Sequence, residues 1–386
     1  MINKTFFSIP QLERKIISST NRYQLKNIES KEIKSTLFNQ NLLIVGACGS
    51  IGKLFTKQIY KFNFKNIYLL DKNENALVEL NRELVLLNNK VIKKVNFICS
   101  DITSFNLDDF LFNNKINHYY NFAAMKHVRS EEYLDSLKYM FKTNSSDFCP
   151  QKKNYLKIFF SISSDKAVLP QSFLGISKYF MEEKLANFAK KNKSVSISTV
   201  RFANVCFSEG SYLKYAKERI EKKISFGLPI NIKRYFITHD EAISLCFKSI
   251  LKKNKNKILM PSDKIMNKEY KLSFIVKKLL DIYGYKIKYS KKILSIKGNI
   301  FPVIVSSKNL EGQKDYEEFY DKKINKVVYD KDKQTMKIDL INKVNVDYII
   351  KKLLQLKSKN KIIKLIQKKI KTFKPNKNTI KVSHLI

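Results

Sequence analysis

Residues 42–52 read LLIVGACGSIG. Four apolar residues run into three glycines, Gly46, Gly49 and Gly52, and a helical stretch follows. The chain of 386 residues has nine glycines, so three of them fall within seven positions. Each glycine costs backbone entropy on folding, and a plain strand-to-helix turn does not need three. The spacing G-x-x-G-x-x-G between a strand and a helix suits a phosphate cradle instead. The first turn must be tight, and a side chain at the second glycine would obstruct a pyrophosphate. Ser50 and Ile51 open the helix, whose N-terminus presents unpaired N–H groups and a partial positive charge. The expectation is a dinucleotide site. Asp71 lies 19 residues beyond Gly52, at the end of the apolar run NIYLLD. An acid there accepts hydrogen bonds from the adenosine ribose hydroxyls. That favours NAD, with NADP the lesser alternative because Lys72 stands beside it.

The alternation continues along the chain. NIYLLD (66–71), VNFIC (95–99), HYYNFA (118–123), LKIFFSIS (156–163) and SISTVRF (196–202) read as short strands separated by helical stretches. Such alternation implies βαβ units and an α/β fold, a Rossmann-like doubly wound parallel sheet. The rhythm breaks after Asn204. Residues 1–40 therefore read as a helical N-terminal extension and 41–204 as the dinucleotide-binding domain. Residues 205–330 read as a smaller substrate-binding lobe with returning sheet elements, and 331–386 as a basic helical tail. KKNKNK (252–257) reads as a surface connection, and no internal repeat is visible.

Composition excludes several classes. No apolar run approaches the roughly 18–20 residues needed to span a bilayer, and the first residues lack the apolar block of a signal peptide. A cytoplasmic protein is expected. The five cysteines form no C-x-x-C pair, and the four histidines are not at ligand spacing, so no metal site is expected. The formal charge is +40, but the lysines are spread along the chain, which fits compositional drift rather than one binding module. The exception is the tail, where KKLLQLKSKNKIIKLIQKKIKTFK alternates apolar residues and lysine at helical spacing. A docked helix with a solvated face is favoured there over contact with an anionic surface.

Further motifs sharpen the reading. AAMKHVRSEE (123–132), SSDKAVLPQSFLGISK (163–178), RFANVCFSEGS (201–211), IKRYFIT (232–238) and GQKDYEEFY (312–320) together span most of the region from about residue 40 to about 325. This set resembles the nucleotide-sugar 4,6-dehydratases within the extended short-chain dehydrogenase/reductases. It is most similar to the NAD-dependent UDP-N-acetylglucosamine 4,6-dehydratases of polysaccharide and nonulosonic acid synthesis. The resemblance implies a UDP-sugar substrate and a homo-oligomer. It implies that a hydride leaves C4 of the sugar for NAD and returns at C6, after a base removes the C5 proton and an acid protonates the departing 6-hydroxyl. By resemblance Asp165 is the acid, Lys166 the base, Ser164 keeps the hydroxyl of the usual Thr, and Lys178 holds the nicotinamide ribose. Asp101 and Ile102 would lie near the adenine, with Ala123 and Ala124 beneath the cofactor. Lys126, His127, Arg201, Asn204 and Arg234 are the expected substrate ligands, the basic ones suiting a diphosphate.

An ordinary lysine, with a pKa of about 10.4, is a poor base at neutral pH. Lys166 would need desolvation or a nearby cation to lower that value, and Lys178 and Lys126 are the expected neighbours. Three departures from the family pattern stand out. Leu174 replaces the usual Tyr or Met, and it cannot take the C4 hydroxyl proton, which puts a general-base factor of about 10²–10⁴ at stake. Pro150 follows Asn144 by six residues, which shortens the expected helix. Gln313 replaces the usual Glu. The alternatives are a nucleotide-sugar epimerase, which the Asp165–Lys166 pair disfavours, and a non-catalytic dinucleotide-binding protein whose tail meets an anionic surface.

Overall fold

The computed structural model describes residues 7–17, 21–127, 131–266, 269–306, 317–371 and 373. Two helices, α1 (Ile9–Ile17) and α2 (Asn27–Leu37), precede the first strand. There follow β1 (Asn41–Val45), α3 (Ser50–Ile59), β2 (Asn66–Asp71), α4 (Glu74–Leu87), β3 (Val95–Cys99), α5 (Leu107–Asn113) and β4 (His118–Asn121). Then come α6 (Leu134–Phe141), β5 (Ile158–Ile162), α7 (Phe173–Lys191) and β6 (Ser196–Val200). The six strands lie in the order β3-β2-β1-β4-β5-β6, all parallel. A later strand, Lys257–Pro261, extends the sheet in parallel beside β6, and Thr335–Asp339 and Val328–Tyr329 close it antiparallel. The α/β, doubly wound fold expected from the sequence is the one observed.

The inner strands β1, β4 and β5 are buried almost throughout because both faces are covered, whereas the edge strand β3 leaves Asn96 and Cys99 exposed. Leu42 and Ile44 pack on the side of α3, with Phe55, Ile59 and the helix His239–Ser249. Leu43 and Val45 pack on the side of α5 and α7, with Leu111, Met181 and Leu185. The sheet reverses winding between β1 and β4, and crevices at such switch points are where open α/β sheets bind ligands. Register aligns the carboxyl ends there: Val45 pairs with Leu70 and with Asn121, and Ile162 pairs with Val200.

The second cluster is the small lobe. Strands Phe226–Pro229, Ile300–Ser306 and Lys286–Ser290 form a parallel sheet, packed by helices Tyr212–Glu221 and Leu272–Ile282. Leu12 and Ile16 of α1 join this lobe, whereas Ile33 and Leu37 of α2 join the main core. The N-terminal segment thus straps both units. Its polar anchors reach buried partners: buried Glu13 meets the His239 ring at 2.7 Å, half-buried Arg22 pairs with buried Glu241, and buried Glu29 accepts from Lys248 at 2.8 Å and Lys253 at 2.9 Å.

Residues 331–386, read as a helical tail, open with the sheet strand Thr335–Asp339. Its five residues alternate too briefly among lysines to stand out by periodicity. Helices Val346–Gln355 and Lys359–Lys369 follow. Their Ile349, Leu353, Ile362 and Ile366 pack against Leu137 and Phe141 of α6 and Phe173 and Phe180 of α7. Lys351, Lys361, Lys364 and Lys368 face solvent. The expected docked helix is therefore a docked pair. No helix among the described residues is long and apolar enough to cross a membrane.

Burial alone would raise the Glu29 carboxyl, but Lys248 and Lys253 hold it down to about 2. A depressed carboxyl lends stability above its ordinary value of 4.5, and that stability is lost as pH falls toward the folded value. Glu29→Gln leaves the buried Lys248 amine without its carboxylate, which should cost about 3–5 kcal/mol near neutrality. Denaturant unfolding should show that gap at about pH 7 and a much smaller gap at about pH 3.

Candidate functional site

The chain leaves β1 through Gly46, whose φ is +72°, a conformation that L residues rarely adopt. A Cβ there would lie 2.5 Å from the Ala123 nitrogen, so β4 passes too close for any side chain. A Cβ on Gly52 would lie 2.1 Å from the Gly46 carbonyl oxygen. These two glycines are required by the fold's own packing. Gly49 is different: its φ is −64°, and among the described residues a Cβ there would meet only the Gly46 oxygen, at 3.5 Å. What Gly49 leaves open is space in front of α3. No described side chain caps that helix, and its first turn has no acid. Open N–H groups facing a glycine-walled space fit a pyrophosphate.

Asp71 is fixed at the rim. Its Oδ2 accepts from the Cys48 N–H at 2.9 Å and its Oδ1 from the Asn73 N–H at 3.0 Å. Each carboxylate oxygen has a second lone pair, so the ribose position remains available. Asp101 accepts from the Thr103 N–H and hydroxyl and from the Tyr139 hydroxyl, while Ile102 is buried. Burial would raise the Asp101 carboxyl, but the Tyr139 and Thr103 bonds hold it below its ordinary value. Lys72 donates to the same Tyr139 hydroxyl at 3.1 Å. Ala123 and Ala124 lie half-buried beside Gly46. Ser50 accepts from the Glu209 N–H at 2.8 Å, a bond from the small lobe, and Ile51 is half-buried against the main core.

At the end of β5, Ser164 accepts from the Lys166 N–H at 3.2 Å and opens a single 3₁₀ turn, Asp165–Ala167. That turn sets the Lys166 amine 3.3 Å from Asp165 Oδ1. The Asp165 side chain is 5% exposed and that of Lys166 41%, so the pair has a buried end and an open end. The Asp165 carboxylate raises the Lys166 pKa against desolvation, and Glu317 adds to it. This is the reverse of the lowering expected from nearby cations. Burial lowers the Lys178 amine to about 8 and also lowers that of Lys126; Lys178 donates to the Ile162 carbonyl at 2.9 Å. Leu174 is buried, and its N–H goes to Glu131 at 2.9 Å.

The expected helix after Asn144 is indeed short. Helix α6 passes into a π-helical turn, Lys142–Ser146, and no helix or strand follows until β5. The turn is nevertheless firmly held. Asn144 exchanges two bonds with the Met125 backbone and donates to Ser177 at 2.9 Å. The lost helical turn therefore leaves the contacts with α7 in place.

The expected substrate ligands divide. Lys126 and His127 are exposed beside the small lobe, and the His127 ring lies against Gly210, where a Cβ would meet Cε1 at 2.1 Å. Arg201 is corrected from substrate ligand to structural anchor. It is buried, bonds both oxygens of Glu182, and donates to the Phe319 carbonyl at 2.8 Å. Asn204 and Arg234 meet on Glu317: Asn204 Nδ2 donates to Oε1, and Arg234 Nε lies 3.7 Å away. Neither Glu182 nor Glu317 was singled out by sequence. Glu317 lies in the quoted GQKDYEEFY stretch, while Gln313 of that stretch falls outside the described residues.

Two glycine variants separate fold from ligand. Gly52→Ala should lower stability by about 1–3 kcal/mol through overpacking. Gly49→Ala should change it by no more than about 1 kcal/mol yet weaken dinucleotide binding by about tenfold or more. Thermal unfolding and fluorescence titration with NADH measure the two effects.

Residues 42–340 match the polysaccharide biosynthesis protein family. An uncharacterized membrane protein of Methanocaldococcus jannaschii is 30% identical over 270 residues, covering 66% of this chain and 76% of that protein. The capsular polysaccharide biosynthesis protein CapD of Staphylococcus aureus is 27% identical over 384 residues, 93% of this chain. The chain spans 60% of CapD, less than two thirds of its length. A UDP-N-acetylglucosamine 4,6-dehydratase (inverting) of Campylobacter jejuni is 26% identical over 250 residues, 61% of this chain and 72% of that enzyme. Among solved structures, Pen from Bacillus thuringiensis has a TM-score of 0.62 at 19% identity, covering 78% of this chain and 87% of its own. The UDP-Glc/GlcNAc 4-epimerase of Campylobacter jejuni has a TM-score of 0.56 at 17% identity, covering 74% and 92%. At such identities the likeness is one of fold. The family match takes in both the glycine turn and the Asp165–Lys166 turn, and the chain belongs to the polysaccharide biosynthesis protein family.

Proposed function

We propose that the chain is an NAD-dependent nucleotide-sugar 4,6-dehydratase. Its substrate in this reading is UDP-N-acetylglucosamine or a related UDP-hexosamine, and its product a UDP-4-keto-6-deoxy sugar for surface polysaccharide or nonulosonic acid synthesis. One observation carries the reading: a carboxyl and an amine share one turn, 3.3 Å apart, at the carboxyl edge of the sheet beside the switch point. Dehydration across C5 and C6 needs both groups, one to remove the C5 proton and one to protonate the leaving oxygen. The relative named as a UDP-N-acetylglucosamine 4,6-dehydratase supports the substrate class.

NAD, when bound, would accept the C4 hydride and supply the C6 hydride. Gly46, Gly49 and the N–H groups of Ser50, Ile51 and Gly52 would hold its pyrophosphate, Asp71 a ribose, and Lys178 the nicotinamide ribose. The resting pair is an ammonium and a carboxylate. Moving one proton across the 3.3 Å contact turns it into an amine and a carboxylic acid. That is the form the reaction needs, a base for C5 and an acid for O6, with no proton gained or lost. Excluding water from the open end of the pair favours the neutral form, since burial penalises charge.

An epimerase is the competing reading, and similar solved structures include epimerases. It has no use for an acid at O6, whereas the absence of a phenol at Leu174 bears on both readings alike, because each begins by oxidising C4 and must pass the C4 hydroxyl proton to another acceptor. Incubated with UDP-N-acetylglucosamine, the protein should yield a product lighter by one water, and Asp165→Asn should lower its formation by about 10²–10⁴. Mass spectrometry decides: a product of unchanged mass selects the epimerase, and no turnover of any UDP-hexosamine sinks both.

A further inference from the structure

The last two helices meet the rest of the chain with one side only. Ile349 and Leu353 of Val346–Gln355 and Ile362 and Ile366 of Lys359–Lys369 enter one buried cluster with α6 and α7. The root of the pair is pinned to α7 as well. Glu183 accepts from the Lys343 N–H at 2.6 Å and the Val344 N–H at 3.0 Å, and Lys184 lies 3.3 Å from Asp347. The opposite sides of the two helices therefore turn outward together. Lys361, Lys364 and Lys368 follow one another at steps of three and four residues, which places them on one helix face. All three are exposed, and so are Lys351 and Lys352 on the neighbouring helix. All 34 acidic residues of the chain lie at or before Asp347, and Asp347 itself is engaged with Lys184 and Asn187 of α7. Elsewhere surface lysines meet nearby acids, as Lys53 and Lys57 meet Glu83 and Lys257 meets Asp339. The tail's outer face is thus a lysine patch built on a fixed scaffold.

We propose that this outer face is a docking surface for an anionic lipid bilayer, bound through phospholipid headgroups without insertion of the helices. The inference goes beyond the proposed reaction and does not rest on it. It also joins two readings of the tail that looked exclusive in the sequence: the apolar side docks, and the lysine side is left to meet an anionic surface. Insertion is ruled out by the packing, because the apolar side already lies against α6 and α7. Attraction to an anionic leaflet strengthens binding by about fivefold for each lysine held near it. Tyr348 is 57% exposed on the same side, with the Lys352 amine 5.9 Å from its ring centre. A tyrosine with a polar tip suits headgroup depth. Half-buried Ile363 and Leu365 flank the lysines of the second helix. A single-stranded nucleic acid would call for several aromatic faces on which bases stack, and Tyr348 is the one aromatic residue of the two helices.

The test is flotation of the full chain with vesicles of phosphatidylcholine alone and with about a third phosphatidylserine. Wild type should float with the anionic vesicles only, and should be released as salt rises from about 0.1 M to about 0.5 M. Combining Lys361→Gln, Lys364→Gln and Lys368→Gln should weaken binding by about tenfold or more. The pair Lys351→Gln and Lys352→Gln should act in the same direction from the other helix. The control removes the same charge from the small lobe, through Lys286→Gln, Lys288→Gln and Lys292→Gln, all exposed. It should weaken binding by less than about threefold. Thermal unfolding should be the same for every variant, since none of these side chains is packed. Three results overturn the proposal: wild type that ignores anionic vesicles, wild type that binds neutral vesicles equally, or equal losses in the tail and control variants. The last would assign binding to the charge of the whole surface. A tail variant that keeps its vesicles also overturns it, and if that variant loses single-stranded RNA the face serves nucleic acid instead.

Discussion

The Arg201–Glu182 pair fixes the relation between the parts of the site. Glu182 belongs to α7, and Arg201 directly follows β6. The Ser163 hydroxyl, one residue beyond β5, donates to the same Glu182 oxygen as Arg201 Nε, at 2.6 Å. A buried ion pair is worth having only when hydrogen bonds satisfy its remaining groups, because desolvation consumes most of the Coulomb gain. Here they do: Glu182 takes three donors, and the outer Arg201 nitrogen reaches the Phe319 carbonyl. One pair therefore ties the Asp165 turn, the helix bearing Lys178, and the returning segment bearing Glu317. Breaking it would loosen all three together.

The two ends of the site obey different physics. At the glycine turn the constraint is steric, because backbone meets backbone between β1 and β4 and side chains are excluded. At the Asp165 turn the constraint is electrostatic, because opposite charges lie at a boundary between buried and open. The steric end is rigid whether or not a ligand is present. The electrostatic end depends on water, since the same pair is charged when wet and tends to neutral when dried. A reaction at this site would therefore be gated at Asp165 and Lys166, not at the glycines.

Much of this was legible in the sequence. The six parallel strands fall within two residues of the runs that announced them, and the inner strands β1 and β5, buried almost along their length, read as nearly continuous apolar stretches. The placement of Gly46, Asp71 and Asp165 at or just beyond strand ends, and of Lys178 on a helix, was legible because the apolar runs mark where the strands stop. Arg201 was misread because a sequence motif shows an arginine's chemistry without its partner, and Glu182 lies 19 residues away on another element. The strand Thr335–Asp339 was hidden for a related reason, since its pairing with Lys257–Pro261 spans a long stretch of chain. Glu317 was passed over because two adjacent acids in a tyrosine-rich stretch look like a solvated loop. Only the converging donors Asn204, Arg234 and the Tyr235 N–H distinguish one of them.

The charge of the chain takes on a different meaning at this scale. Lysine and arginine outnumber aspartate and glutamate by 74 to 34, and that excess lies mostly at the surface, as along the outer faces of the last two helices. Inside, acids are common and nearly all are engaged: Glu13 with His239, Glu29 with two lysines, Glu182 with Arg201, Glu241 with Arg22, Asp165 with Lys166. A surface lysine is screened within roughly 10 Å at moderate salt. A buried carboxylate acts across the low-dielectric interior with far less screening. The net charge therefore governs how the outside meets other anions, while at the site two carboxylates, Asp165 and Glu317, stand against two cations, Lys166 and Arg234, and the local charges balance when all four are charged. A strongly basic chain thus keeps a charge-balanced cluster at the carboxyl edge of its sheet.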